Sequence, residues 1–467
     1  MSKALTHPID RAGASAPKFD MYLMLPILAV AYVEIISPLL LAIDTGPRTG
    51  SMWTAVQRQI QLEPRIEHKI FLPAMGLLSV CAVMRNWARL TFPPHIIWLF
   101  GHLMLAGVSI SWAYKPDFSA VRFLQQAMFV TSVVLPPLMA VRKADMMRWV
   151  FLCFALALII NMLFVLNQPP MIQNDRISYP GYFTFKGTLG ECAAITLLLS
   201  LREVLYSGFR RLVGIIVIGI AVYIVILSDS KGSLGIAVLA PLLAGPALLI
   251  AKRMRISVAI VLLTIPVCYA VLSGIVGSLV SRLSWYIYGN YDLSGRVFIW
   301  DFANFEISRK PILGWGYQSF WLVGPDAPSI VDAPGWIKTM PSSHNGYLDT
   351  MVDMGYVGLA SLLIFIFTTL HAIGRMADRD PTRAWPLLTL ALYIIITNFI
   401  ETGWMHGTDL LWLIFLIVVA ETGRYWQPFP AGGSAPARRV SVMAGRRQGI
   451  ARAKSFEKLG RSDERRS

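Results

Sequence analysis

The groups in this chain that could do chemistry in water lie in a few short stretches. In SSHNGYLDTMVDMGYVGL (342–359), His344 stands at the entry to an apolar run. An imidazole there can stay neutral and accept a proton near neutral pH. Asn345 follows as a candidate helix cap. Asp349 and Asp353, four residues apart, fall on one helix face as a candidate carboxylate pair. In SGRVFIWDFANFEISRKPILGWGYQSF (294–320), Arg296 follows a Ser-Gly turn and can project from a helix start towards an anion. Lys231 in LSDSKGSLG, with Arg176 and Lys186 in NDRISYPGYFTFKGTLGE, adds three more cations. Lys231 and Arg296 would each be satisfied by a diphosphate, and Glu401 in NFIETGW is placed to orient one of them.

Each of these has a plainer reading. Loop arginines contact headgroups or water, lysines at helix ends snorkel, and acidic residues near a helix start are favoured by its dipole. The convergence of four cations on one side carries more weight than any one of them. Glu34 and Glu191 lie inside apolar runs, where a charge is expensive and normally faces a cavity or a partner.

The elements that must position these groups are membrane helices. Hydrophobic residues make up 55% of 467 positions and charged residues 15%, against roughly 25% charged in a soluble domain. Runs of about 20 apolar residues, the length of a bilayer span, recur from Met21 to Ala420. We place twelve helices at about 21–43, 69–85, 95–113, 121–141, 147–167, 188–206, 211–228, 233–250, 256–276, 346–371, 385–401 and 408–422. No internal repeat or broken helix is visible. Residues 1–20 lack the core and cleavage site of a secretory signal, so the first run is expected to remain as a helix. The four cysteines all sit in apolar runs, with no metal or disulfide spacing.

The net charge of +15 collects in alternate loops, which points to a membrane and not to nucleic acid. With a cytoplasmic N-terminus, the inner loops hold Arg85 and Arg89; Arg142, Lys143 and Arg148; Arg202, Arg210 and Arg211; Lys252, Arg253 and Arg255; and Arg375, Arg379 and Arg383. This is the positive-inside pattern. Only the first outer loop (44–68), with Arg48, Arg58 and Arg65, runs against it. The chain thus divides into a cytoplasmic N-terminus (1–20), helices 1–9 (21–276), a periplasmic loop (277–345), helices 10–12 (346–422) and a basic, disordered cytoplasmic tail (423–467). The loop is rich in Trp, Tyr, Gly and Pro, and we expect a folded cap with a short helix around 294–309.

The pieces GYFTFKGTLGECAA, LSDSKGSLG, SGRVFIWDFANFEISRKPILGWGYQSFW, SSHNGYLDTMVDMGYVGL and NFIETGW together resemble the O-antigen ligase and polymerase superfamily (Wzy-like), bacterial membrane glycosyltransferases that use lipid-linked sugars. The resemblance spans roughly 176–404. The first five helices match only in character. Lys231 stands where many members carry arginine, a form closest in character to exopolysaccharide polymerases.

The resemblance implies an all-α, GT-C-like polytopic fold with its active site on the periplasmic face of the inner membrane. It implies a metal-independent, inverting transfer without cofactors. Arg296 and Lys231, with Arg176 or Lys186, would hold the departing diphosphate, and His344 would act as base or bind phosphate. Asn345, Asp349 and Glu401 would support them. The substrate would be a polyprenyl-diphosphate-linked oligosaccharide, with flippase and chain-length regulator proteins as partners. The leading reading is polymerisation of repeat units. The rivals are a ligase that moves finished glycan to lipid A core or protein, and a transporter of the same lipid-linked sugar.

Overall fold

The structure, a computed structural model, describes residues 20–45, 66–141, 144–173, 176–276, 282, 285, 286 and 295–426. The expectations for the N-terminal segment, most of the first outer loop, Arg142, Lys143, residues 287–294 and the tail beyond Trp426 lie outside the described residues.

Where water is absent, a helix pairs every backbone group within its own segment, and the apolar runs fold accordingly. Helix α1 runs as Met24–Ala31, widens into a π turn at Tyr32–Ile36 and resumes at Ser37–Thr45. Next come α2 (Ile66–Asn86), α3 (Pro94–Ser109), α4 (Pro116–Met139) and α5 (Met146–Asn167). A two-stranded hairpin follows, β1 (Met171–Gln173) against β2 (Arg176–Ser178), with Ile172 opposite Ile177. The chain continues through α6 (Lys186–Val204), α7 (Phe209–Leu227), α8 (Lys231–Met254) and α9 (Val258–Val276). The cap contains α10 (Arg296–Arg309), the short α11 (Pro328–Val331) and a 3-10 turn at Gly335–Thr339. It leads into α12 (Gly346–Ala377), α13 (Pro381–Thr397) and α14 (Leu410–Arg424).

The twelve long helices among the described residues follow the expected order and positions. Eight of them are long and apolar enough to cross a membrane on those grounds alone. Of the rest, α6 carries Lys186, Glu191, Arg202 and Glu203, while α13 and α14 have only 17 and 15 residues. Every residue of α14 is buried, and its stretch Leu410–Ala420, apolar all round, packs inside the bundle. The cap helix expected near 294–309 is α10.

Two expectations need correction. Helix α13 stops at Thr397 instead of 401, because the Asn398 side-chain oxygen accepts from Gly403 N (2.9 Å) and Trp404 N (3.0 Å) and turns the chain. Glu401 therefore sits on a loop. The expectation of unbroken helices also fails, since α12 is broken at Gly355 (φ 64°, ψ −162°). The cap fills that break. Tyr356 N donates to Pro311 O, and Trp315 N and Gly316 N donate to Val352 O and Asp353 O, all at 2.8 Å. A side chain at Gly355 would lie 2.2 Å from Ile312 O, so the turn after α10 needs glycine there.

Opposite ends of the bundle are chemically distinct. At one, Arg202 and Arg210 bridge Asp145 and Glu203, and Arg424 donates to Val141 O and Ala144 O. At the other, the cap docks on the α3–α4 turn and the start of α4, where Trp112 donates to Leu313 O, Tyr114 to Asp326 O and Arg122 to Gln318 O.

Candidate active site

Three side chains from distant parts of the chain meet at the cap end. Arg296, the first residue of α10, donates from Nη2 to Glu401 Oε1 at 2.7 Å and from Nε to Ile400 O at 2.9 Å. The other carboxylate oxygen of Glu401 lies 3.1 Å from His344 Nδ1. One carboxylate thus fixes both the arginine and the histidine. All three side chains keep some exposure, 18% for Arg296 and 34% for His344 and Glu401, so a substrate can reach them.

The charge state of Glu401 sets the tautomer of His344. Burial works against ionisation, but the His344 hydrogen bond and the Arg296 charge outweigh it and hold the carboxyl below the usual range. An ionised Glu401 only accepts, so a neutral His344 must carry its proton on Nδ1. Its Nε2 is then left as the acceptor. A carboxylate behind an imidazole also stabilises the imidazolium that forms on proton uptake.

The backbone at His344 is left-handed (φ 51°), a conformation uncommon in side-chain-bearing residues. Neighbouring bonds hold it. Trp300 Nε1 donates to Ser343 O at 3.1 Å, Ser343 Oγ to Asn345 O at 2.9 Å, and His344 N to Ser342 Oγ at 3.3 Å. Asn345 caps α12 as its type suggested, with Oδ1 accepting from Tyr347 N and Leu348 N, an arrangement that stabilises a helix by about 1 kcal/mol. Gly346 N then donates to Asn398 O and Glu401 O, which seats the histidine loop on the Glu401 loop.

The structure gives the two aspartates scaffold positions. Asp349 accepts from Ser343 N (3.0 Å), Trp321 Nε1 (2.9 Å) and Thr402 Oγ1 (2.5 Å), tying the cap to both site loops. Asp353 lies within electrostatic reach of Arg122 and Asp349. Arg122 is the residue that sequence reasoning missed. A single cation inside an apolar run gives no spacing signal, yet it anchors the cap through Gln318 O at 2.5 Å.

The remaining cations occupy neighbouring helix ends. Lys186, the first residue of α6, pairs with Asp229 at 3.1 Å, and the exposed Lys231 opens α8 two residues later. Lys186 therefore shares its charge with a carboxylate. Arg176 lies in β2, and its side chain is outside the described residues. Tyr393 of α13 sits beside Ser233 of α8 and in electrostatic reach of Glu191 and Glu401, which links this region to the His344 centre. The two intramembrane acids converge on it as well. Glu191 lies within reach of Asp409, Glu401 and Glu34, and Glu34 is buried on the π turn of α1. Among the described residues, no three His, Cys, Asp or Glu side chains are grouped to hold a metal ion.

These features define an all-α polytopic membrane protein with an arginine–carboxylate–histidine centre at one end of its bundle. Residues 215–363 match the O-antigen ligase family, a segment that includes Lys231, Arg296 and His344. Along 354 residues, 71% of this chain and 76% of the relative, the sequence is 22% identical to the exopolysaccharide production protein ExoQ of Rhizobium meliloti (strain 1021). A shorter match of 129 residues, 26% of this chain and 32% of the relative, is 30% identical to a provisionally named polysaccharide ligase of Rickettsia typhi. A similar ligase of Rickettsia conorii is 29% identical over 87 residues, 18% of this chain and 21% of the relative. The resemblance seen in the motifs is therefore to the O-antigen ligase and polymerase superfamily, and the chain is a polytopic membrane protein.

Proposed function

We propose that this protein polymerises polyprenyl-diphosphate-linked oligosaccharide repeat units by inverting glycosyl transfer. The observation that carries the reading is the single carboxylate shared by Arg296 and His344, which puts a cation and a base at one place. In the proposed step an acceptor hydroxyl oxygen attacks the anomeric carbon. The bond from that carbon to the diphosphate oxygen breaks, and the diphosphate leaves with both electrons. The hydroxyl proton passes to His344 Nε2, and Arg296 and Lys231 stabilise the charge on the leaving group.

The concentration of basic residues at the opposite end of the bundle supports a periplasmic site in the inner membrane with both termini in the cytoplasm. Flippase and chain-length regulator proteins would supply the substrate and limit its growth. A ligase reading is favoured by the names of the Rickettsia relatives. Purified protein given a lipid-linked repeat unit should produce a ladder of lengthening glycans. Transfer of one finished glycan to lipid A core, with no ladder, would replace polymerase by ligase. Vesicle uptake of the substrate without any new glycosidic bond would replace both by transport.

A further inference from the structure

A groove on the cap runs along α10, beginning beside Gly295 and leading away from Arg296. The spacing of Phe298, Asp301, Phe302 and Phe305 brings them to one face of α10. Asp332 and Trp336 stand opposite, and the space between the walls is about 550 Å³, within the roughly 300–1,000 Å³ of small-molecule sites. Phe302 is buried at its floor, whereas Phe298, Phe305 and Trp336 are 58%, 57% and 51% exposed. Large aromatic rings left this open in a folded cap are available to a ligand.

Chemistry selects the ligand. Flat rings offer π faces to the C–H face of a pyranose, and carboxylates accept hydrogen bonds from sugar hydroxyls. Asp332 is held by Arg309 at 2.5 Å, while Asp301 is exposed and has no ion pair among the described residues. Asp301 would repel an acidic sugar, and two carboxylates make a poor seat for an acyl chain. The groove also starts at the reaction centre. The Trp336 ring lies 3.6 Å from where a side chain on Gly295 would begin, one residue before Arg296. Phe305 sits about 14 Å further along the helix.

We propose that this groove binds a neutral saccharide of the lipid-linked glycan and feeds it towards Arg296. The proposal rests on the glycosyl-transfer reading above and adds to it a subsite on the cap. The probe is the neutral oligosaccharide released by mild acid from the host cell's own polysaccharide, followed by saturation-transfer NMR on the full-length protein in detergent. Phe298→Ala and Trp336→Ala together should weaken binding about tenfold, Trp336→Phe should retain most of it, and Asp301→Asn should weaken it less. In turnover assays the double variant should raise KM for the lipid-linked substrate with little change in kcat. Thermal unfolding of each variant establishes that the cap is intact. Unchanged binding and KM in a folded double variant, or displacement of the probe by phosphatidylglycerol vesicles, would overturn the proposal. Groove-dependent binding in a protein that forms no glycosidic bond would uphold the groove and sink the transferase reading instead. A normal ladder from the double variant, with unchanged KM, would do the reverse.

Discussion

Arg296 donates to Glu401 Oε1 at 2.7 Å across 105 residues of chain, and the other oxygen of the same carboxylate faces His344 at 3.1 Å. Neither cation nor base is positioned by its own element alone. Glu401→Gln should therefore cost more than the loss of one surface ion pair. With no carboxylate to accept from Nδ1–H, His344 loses its fixed tautomer, and Arg296 loses its charged partner. We expect kcat to fall by on the order of 10²-fold, the scale of a misplaced catalytic group, with insertion into the membrane unchanged. A Glu401→Gln protein with normal kcat would separate the carboxylate from the mechanism.

Removing the groups to which the proposed reaction assigns charge stabilisation and proton uptake should show the signature of lost transition-state stabilisation. Arg296→Gln and His344→Asn should each lower the rate by on the order of 10²–10³. Asn tolerates the left-handed backbone at 344, so the fold should survive. Lys231→Arg keeps the charge and offers a bidentate fork to phosphate, and should be the mildest change. Turnover should persist in excess EDTA, because in the proposed reaction the protein's own cations would stabilise the leaving diphosphate. Loss of activity that a divalent ion restores would reassign that charge.

The break in α12 makes a stability prediction. At Gly355 a side chain would meet Ile312 O at 2.2 Å in a left-handed backbone. Gly355→Ala should destabilise the cap by on the order of 1–3 kcal/mol, seen as a lower Tm and faster proteolysis of the 296–345 segment. Gly219→Ala, where nothing lies within 4 Å, is the control and should leave both unchanged.

Orientation is open to direct labelling. The four cysteines, of which Cys81 and Cys268 are exposed, would first be replaced by serine or alanine. A cysteine introduced at 344 should then react with an impermeant reagent in intact spheroplasts, and one at 379 should not. The opposite pattern would invert the topology and move the site to the cytoplasm.

The helices were legible in the sequence because membrane solvation acts on each segment by itself. A run of about 20 apolar residues must form a helix wherever it enters lipid, and alternate basic loops expose the alternation of its ends. Asn345 as a cap and Arg296 at a helix start were legible for the same local reason. The role of Glu401 was only half legible, since its type suggested an orienting group but its run of neighbours suggested a helix end. Asn398 turns that segment into a loop by capturing two N–H groups. Nothing local in the sequence says that the Pro311–Gly316 turn fills a break at Gly355, or that Arg122 holds the cap through Gln318. Such contacts join segments far apart along the chain, and no spacing rule reports them. Tertiary packing alone decided that one carboxylate would serve both Arg296 and His344.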